Sequence, residues 1–207
     1  MLENIQVLTH SSIKISKNKI IYIDPFNIEK NYNDADIIFI THSHYDHFSL
    51  EDIKKCMNEN TIIVITKDLE NDSLTLFNNE KIITVLPNNH YQIDTINFNT
   101  IKAYNVNKPF HPKENNWVGY IINMNNIKYY IAGDTDKTIE SSNVKCDIAF
   151  LPIGGKFTMD YKEAAELANE IKPKIVIPIH YGTIVGSKED AINFKSLISS
   201  DTECIIL

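Results

Sequence analysis

The chain has 207 residues, with 20 basic and 27 acidic side chains and a formal charge of −7. At 43% hydrophobic and 23% charged it has a globular composition, which argues against disorder or a collagen-like fold. Its acidity argues against a protein whose main task is to grip a phosphate backbone. In chain order, residues 5–9, 12–16 and 20–23 carry β-branched side chains between short polar turns and predict a three-stranded meander. Residues 37–40 are wholly apolar, the mark of a strand covered on both faces, and lead straight into Thr41-His42-Ser43-His44-Tyr45-Asp46-His47. Ser49 stands three before Asp52, as in a capping box, ahead of a short helix over 53–57. Residues 61–66 and 81–86 predict strands with a polar, helical segment between them. Residues 92–104 predict a hairpin, and 117–123 with 127–132 a second one around Met124-Asn125-Asn126. A buried strand over 147–151 ends at Pro152, and a helix over 160–171 stops before Pro173. A strand over 174–179 ends at His180, a helix over 188–198 starts from Ser187 and Asp190, and 204–207 is a last strand. With no linker or repeat, the reading is one α/β domain over 1–207.

Every basic residue is lysine, so there is no guanidinium fork and an anion has to be held by lysine, backbone N–H or metal. Cys56, Cys146 and Cys204 are far apart and show no CxxC spacing, which reads as buried thiols in a reducing compartment. The first ten residues contain Glu3 and show no signal-peptide pattern, and the apolar runs are strand-sized. The expectation is a cytoplasmic protein with no membrane partner.

His42, His44, Asp46 and His47 lie between a buried strand and a helix. On an extended segment His42 and His44 point the same way, and the turn into the helix lets Asp46 and His47 face a neighbouring point. One segment can thus serve two cations, and imidazole with carboxylate suits zinc, iron or manganese. A lone histidine in a polar loop is usually a surface residue; three within six positions are not read that way. Asp134, after Gly133 at a strand end, and His180, at another, fit the same logic.

The pattern His-x-His-x-Asp-His, then Gly133-Asp134-Thr135, then a late histidine in Pro178-Ile179-His180-Tyr181-Gly182 resembles the metallo-β-lactamase superfamily. The closer resemblance is to its small metal-dependent hydrolases, the branch that includes ascorbate-phosphate lactonase. Ile23-Asp24-Pro25-Phe26 and residues 151–159 extend the likeness over nearly the whole chain. The resemblance implies a four-layer αββα sandwich with metals at the edge between the sheets. It places one metal on His42, His44 and a third histidine, a second on Asp46, His47 and His180, and Asp134 between them. The third histidine is where this sequence departs: Asn105 holds the usual position, and His111 follows six residues later. The favoured reading is a loop that brings His111 in. Otherwise the first metal is weakly held and the centre is mononuclear. His90 reads as a surface residue. Asp24 reads as a structural turn carboxylate near the site, and His10 as a hydrogen-bond partner of a ligand rather than a substrate contact.

The chemistry implied is hydrolysis of a small ester, lactone or phosphodiester by a metal-bound hydroxide on two divalent transition-metal ions, zinc first, manganese or iron next. Asp46 either ligates or handles the proton of the attacking water. Asn105, Lys156 and Tyr181 are candidate substrate contacts, with Lys108 and Lys113 as further cations for an anionic group. Phe110, Trp117 and Phe157 either wall the pocket or belong to the core. Gly154-Gly155 matches no phosphate loop. The other readings are a nuclease of the same superfamily, disfavoured by the acidity and the lack of arginine, an oxygen-reducing diiron protein, and a non-catalytic metal-binding module. A homodimer is the default oligomer.

Overall fold

The computed structural model describes residues 3–71, 77 and 81–207, and the chain forms two compact units, 1–85 and 86–207, with one sheet each. In the first unit β1 (Ile5–Thr9), β2 (Ser12–Ser16) and β3 (Ile20–Ile23) form the predicted antiparallel meander. β4 (Ala35–Phe39), β5 (Met57–Thr66) and β6 (Ile82–Val85) then add in parallel, in sheet order β1 to β6. Ile38 belongs to a core cluster with Tyr22, Ile53, Cys56, Ile63 and Ile65, while Ile37 and Phe39, on the opposite face of β4, are equally buried. This is the two-sided burial that the apolar run predicts.

Helix α1 spans Leu50–Cys56, starting earlier than the sequence suggests because Ser49 is its N-cap. The chain passes into β5 without a turn, so β5 begins four residues before the predicted strand. The register against β4 slips between Ala35 and Ile37, and Thr61 Oγ1 closes the irregularity by donating to the Ala35 carbonyl at 2.7 Å. Of the helical segment expected between β5 and β6, a 3₁₀ turn forms at Lys67–Leu69; most of the remainder lies outside the described residues.

In the second unit β7 (His90–Ile93), β8 (Ile96–Lys102), β9 (Val118–Met124) and β10 (Ile127–Ile131) run antiparallel. Asn125 and Asn126 both take positive φ (53° and 61°), the backbone a two-residue hairpin turn demands. β11 (Ile148–Pro152), β12 (Ile175–Ile179) and the two-residue β13 (Glu203–Cys204) continue the sheet in parallel from β10. The parallel direction puts the ends of β10 and β12, where Asp134 and His180 follow, on one side of the sheet. Helix α2 (Ile139–Ser142), held by a Thr138–Ser141 capping box, is a single turn with no predicted counterpart. α3 (Tyr161–Ile171) and α4 (Lys188–Leu197) match prediction, capped by Asp160 and by the Ser187–Asp190 box. Ala164, Leu167 and Ala168 of α3 and Phe194 of α4 pack on Ala149 and Val176 of the sheet.

Asp52 ties α1 to the segment that follows β3. It accepts from the N–H groups of Asn27 and Ile28 at 2.9 and 3.0 Å, from Ser49 Oγ at 2.7 Å and from Lys55 Nζ at 3.0 Å. Burial alone would raise its pKa; the hydrogen bonds from Ser49, Lys55 and the two backbone N–H groups outweigh it and hold the carboxyl below its ordinary value. A carboxylate depressed in the folded state adds stability above its unfolded pKa and loses that contribution as pH falls through the folded one. Asp52→Asn is expected to cost about 1–3 kcal/mol near neutral pH. The gap from the parent should shrink as pH drops below about 4, read by urea unfolding across pH.

Candidate metal centre

β3 and β4 are parallel neighbours, so the residues after them emerge together. Asp24, with φ 44°, turns its carboxylate onto the next crossing of the chain. Its Oδ1 accepts from the Thr41 N–H at 2.8 Å, and its Oδ2 from the Thr41 hydroxyl at 2.7 Å and from His47 Nδ1 at 2.7 Å. The Thr41 hydroxyl gives its proton to Asp24, so its lone pair accepts from His42 Nδ1 at 3.0 Å. Both rings therefore carry their proton on Nδ1 and turn an Nε2 lone pair away from the support. His42 Nε2 lies 3.2 Å from His44 Nδ1, and His47 Nε2 lies 3.6 Å from Asp46 Oδ2. His10, in the β1–β2 turn with φ 48°, places Nε2 3.2 Å from that same Asp46 oxygen. Asp24, His10, His42, Asp46 and His47 are all buried, and His44 is half-buried.

The second unit carries its own set. Gly133, at φ 67°, turns the chain after β10 so that Asp134 follows at once. His180 takes φ 59° directly after β12. Asp134 Oδ2 lies 3.0 Å from His180 Nε2 and 3.3 Å from His111 Nε2, with all three residues buried. His111 reaches this point on a loop that closes on Asn105: the Asn105 N–H donates to the His111 carbonyl at 2.8 Å, and the His111 N–H to Asn105 Oδ1 at 3.0 Å. The His111 ring also meets Trp117 edge-on at 5.5 Å between centroids. Asn105 does not share the position of His111 beside Asp134; its amide is spent on His111, Asp136 and the Phe157 carbonyl. Buried imidazoles and carboxylates at these separations, with the Nδ1 atoms of His42, His47 and His111 tied to oxygen, are donor chemistry for zinc, iron or manganese. The residues present fit a divalent transition metal.

A profile described as the Beta-lactamase superfamily domain matches residues 4–180. A UPF0173 metal-dependent hydrolase of Thermococcus onnurineus is 33% identical over 98% of this chain and 95% of its own. One from Nanoarchaeum equitans is 34% identical over 92% and 89%. The chain belongs to the metallo-β-lactamase superfamily. Its fold agrees: Igni18, a metallo hydrolase from Ignicoccus hospitalis, superposes with a TM-score of 0.81 at 22% identity, over 98% of this chain and 94% of that one. The mixed α/β fold with two sheets is that of the superfamily.

Within this superfamily member the other expected contacts divide. Lys108 is ion-paired with Asp136, and Lys113 binds Glu140 at 3.2 Å and the Tyr104 hydroxyl at 3.1 Å. These two lysines are already engaged with acidic partners. Lys156 is exposed, lies 4.9 Å over the Phe157 ring and pairs with no carboxylate among the described residues. Tyr181 is half-buried against the core. Phe110 stacks edge-on against Phe157 at 4.7 Å and is 38% exposed, whereas Trp117 is a core residue. Thr41 and Asp136 went unread in the sequence; their only signal was adjacency to His42 and to Asp134-Thr135.

Gly154 is a further support of the site. A Cβ there would sit 2.6 Å from the His180 carbonyl and 2.6 Å from Val185 Cγ2. Gly154→Ala is therefore expected to displace His180 and to weaken metal binding roughly 10–100-fold, as loss of support around a candidate ligand does. Gly182→Ala meets no atom within 4 Å but has to hold φ 76°. It should cost about 1–2 kcal/mol of stability with zinc binding unchanged. Zinc titration and urea unfolding of both variants separate the two effects.

Proposed function

We propose that this metal-dependent hydrolase builds one binuclear centre from the two ligand sets and cleaves a small ester, lactone or phosphodiester. His42, His44 and His111 would hold one ion, Asp46, His47 and His180 the other, with Asp134 shared. One observation carries the reading: a single oxygen, Asp134 Oδ2, stands beside His111 and His180, one imidazole from each assigned ion. The superfamily match runs from residue 4 to residue 180 and so embraces both sets.

When bound, divalent ions lower the pKa of a water and polarise the oxygen under attack. Zinc is the first choice, with manganese or iron next. Asp46, held through Oδ2 by His10, orients the attacking water and takes its proton. Asn105 acts on His111 rather than on substrate. Lys156 meets an anionic group, and Tyr181, whose phenol burial holds protonated, donates to the substrate. A small-molecule substrate fits the absence of arginine and the charge of −7 better than nucleic acid does. A cytoplasmic location is supported by three free thiols, of which Cys56 and Cys204 are buried; burial pushes the pKa of Cys56 and Cys146 up to about 12 and that of Cys204 to about 11. Among the described residues no helix is long and apolar enough to cross a membrane.

Metal analysis of protein purified without chelator should find two transition-metal ions per chain, and chelation should abolish hydrolysis of a responsive ester, lactone or phosphodiester and lower the Tm. Asp134→Ala should lose metal from both positions, while His44→Ala should lose one ion first. Absence of transition metal, together with unchanged activity in His44→Ala and Asp46→Ala, overturns the proposal.

A further inference from the structure

We infer that Asn105 is a positioning residue that decides which nitrogen of His111 carries the proton, and so which one is offered beside Asp134. The inference rests on the proposed metal centre for its purpose but not for its geometry. Asn105 Nδ2 lies 3.1 Å from Asp136 Oδ1 and 2.9 Å from the Phe157 carbonyl oxygen. Both are acceptors, so the amide cannot be flipped without setting oxygen against oxygen twice. Its Oδ1 must face His111, where it accepts from the backbone N–H at 3.0 Å and lies 3.1 Å from Nδ1.

His111 Nδ1 also lies 3.2 Å from the Phe157 carbonyl. Amide and peptide oxygens have no hydrogen to give, so Nδ1 is the donor. In the neutral ring Nε2 then carries the lone pair, and it lies 3.3 Å from the carboxylate oxygen of Asp134. Two acceptors at that distance call for a proton or a metal cation between them. The opposite tautomer would fill the place with a proton of its own and leave Nδ1 facing two oxygens.

The amide is itself fixed from behind. Asp136 is buried; its Oδ1 accepts from Lys108 Nζ as well as from Asn105, and its Oδ2 from the Val106 N–H at 2.9 Å. The Asp136 N–H donates to the Tyr104 carbonyl at 3.0 Å. A chain of oriented dipoles thus runs from Lys108 through Asp136 and Asn105 to the ring of His111. Asn105 is thus the holder of a histidine supplied from six residues on.

The test uses the whole chain labelled with ¹⁵N-histidine. At pH 8, stripped of metal, the His111 ring should give the nitrogen signature of a single state with a proton held on Nδ1. Asn105→Leu should give a mixed or reversed signature and lower zinc affinity about 10–100-fold in chelator competition. A wild-type His111 ring with no proton on Nδ1 overturns the inference, and that measurement carries the test by itself if the leucine variant fails to fold. Wild-type signature and affinity in folded Asn105→Leu overturn it as well. A wild-type protein that binds no zinc yet shows that single state refutes the metal centre and leaves the role of Asn105 standing.

Discussion

A carboxylate and an imidazole taken out of water have to share a proton or a cation, because an unpaired buried charge costs several kcal/mol. Asp134 between His180 and His111 is that constraint in its barest form, and the loops around it are arranged to meet it. His10, Asp24 and His180 all take a left-handed backbone, which aspartate and histidine visit more readily than most residues but which no regular strand supplies. Each stands where a strand gives way to a turn, so the sheets fix the position and the turn fixes the direction.

The absence of arginine sharpens the same constraint elsewhere. Without a guanidinium fork, the buried Asp24, Asp52 and Asp136 collect backbone N–H groups, hydroxyls, an imidazole and single lysine ammonium groups. Asp24 is met by Thr41 and His47, and Asp136 by Val106, Asn105 and Lys108. Lys14, itself buried, binds Asp34 at 2.7 Å with its ammonium 4.3 Å over the Tyr32 ring. Lys14 and Lys108 are thereby committed to holding loops in place, and the cations left for a substrate are correspondingly fewer.

The periodic elements were legible in the sequence because their signals are local. A β-branched meander, a fully apolar strand, an Asn-Asn turn and Ser/Asp caps each announce themselves within a few residues. The cluster from His42 to His47 was legible for the same reason. The start of β5 was not, since Met57–Asn60 is too polar for a strand core and is held by the irregular register against Ala35. Thr41 is read as functional only once Asp24, seventeen residues away, is seen to take its proton. The engagement of Lys108 by Asp136 spans twenty-eight residues and leaves no mark on either segment. What the sequence hides is long-range pairing between ordinary residue types.

The loop between Asn105 and His111 separates two tasks that lie close in the chain. Its ends are locked by Asn105, whose backbone and side chain both bond His111. Its middle, with Val106 and Phe110, stays exposed. Phe157 divides in the same way: its carbonyl accepts from Asn105 and His111, while its ring meets Phe110 and lies under Lys156. Side chains at Val106, Phe110, Lys156 and Phe157 can therefore change without disturbing the hydrogen bonds that aim His111, because those bonds use backbone atoms and one amide. A scaffold built this way keeps its metal chemistry constant while its exposed surface is altered for a different substrate, which is how one fold comes to host many reactions.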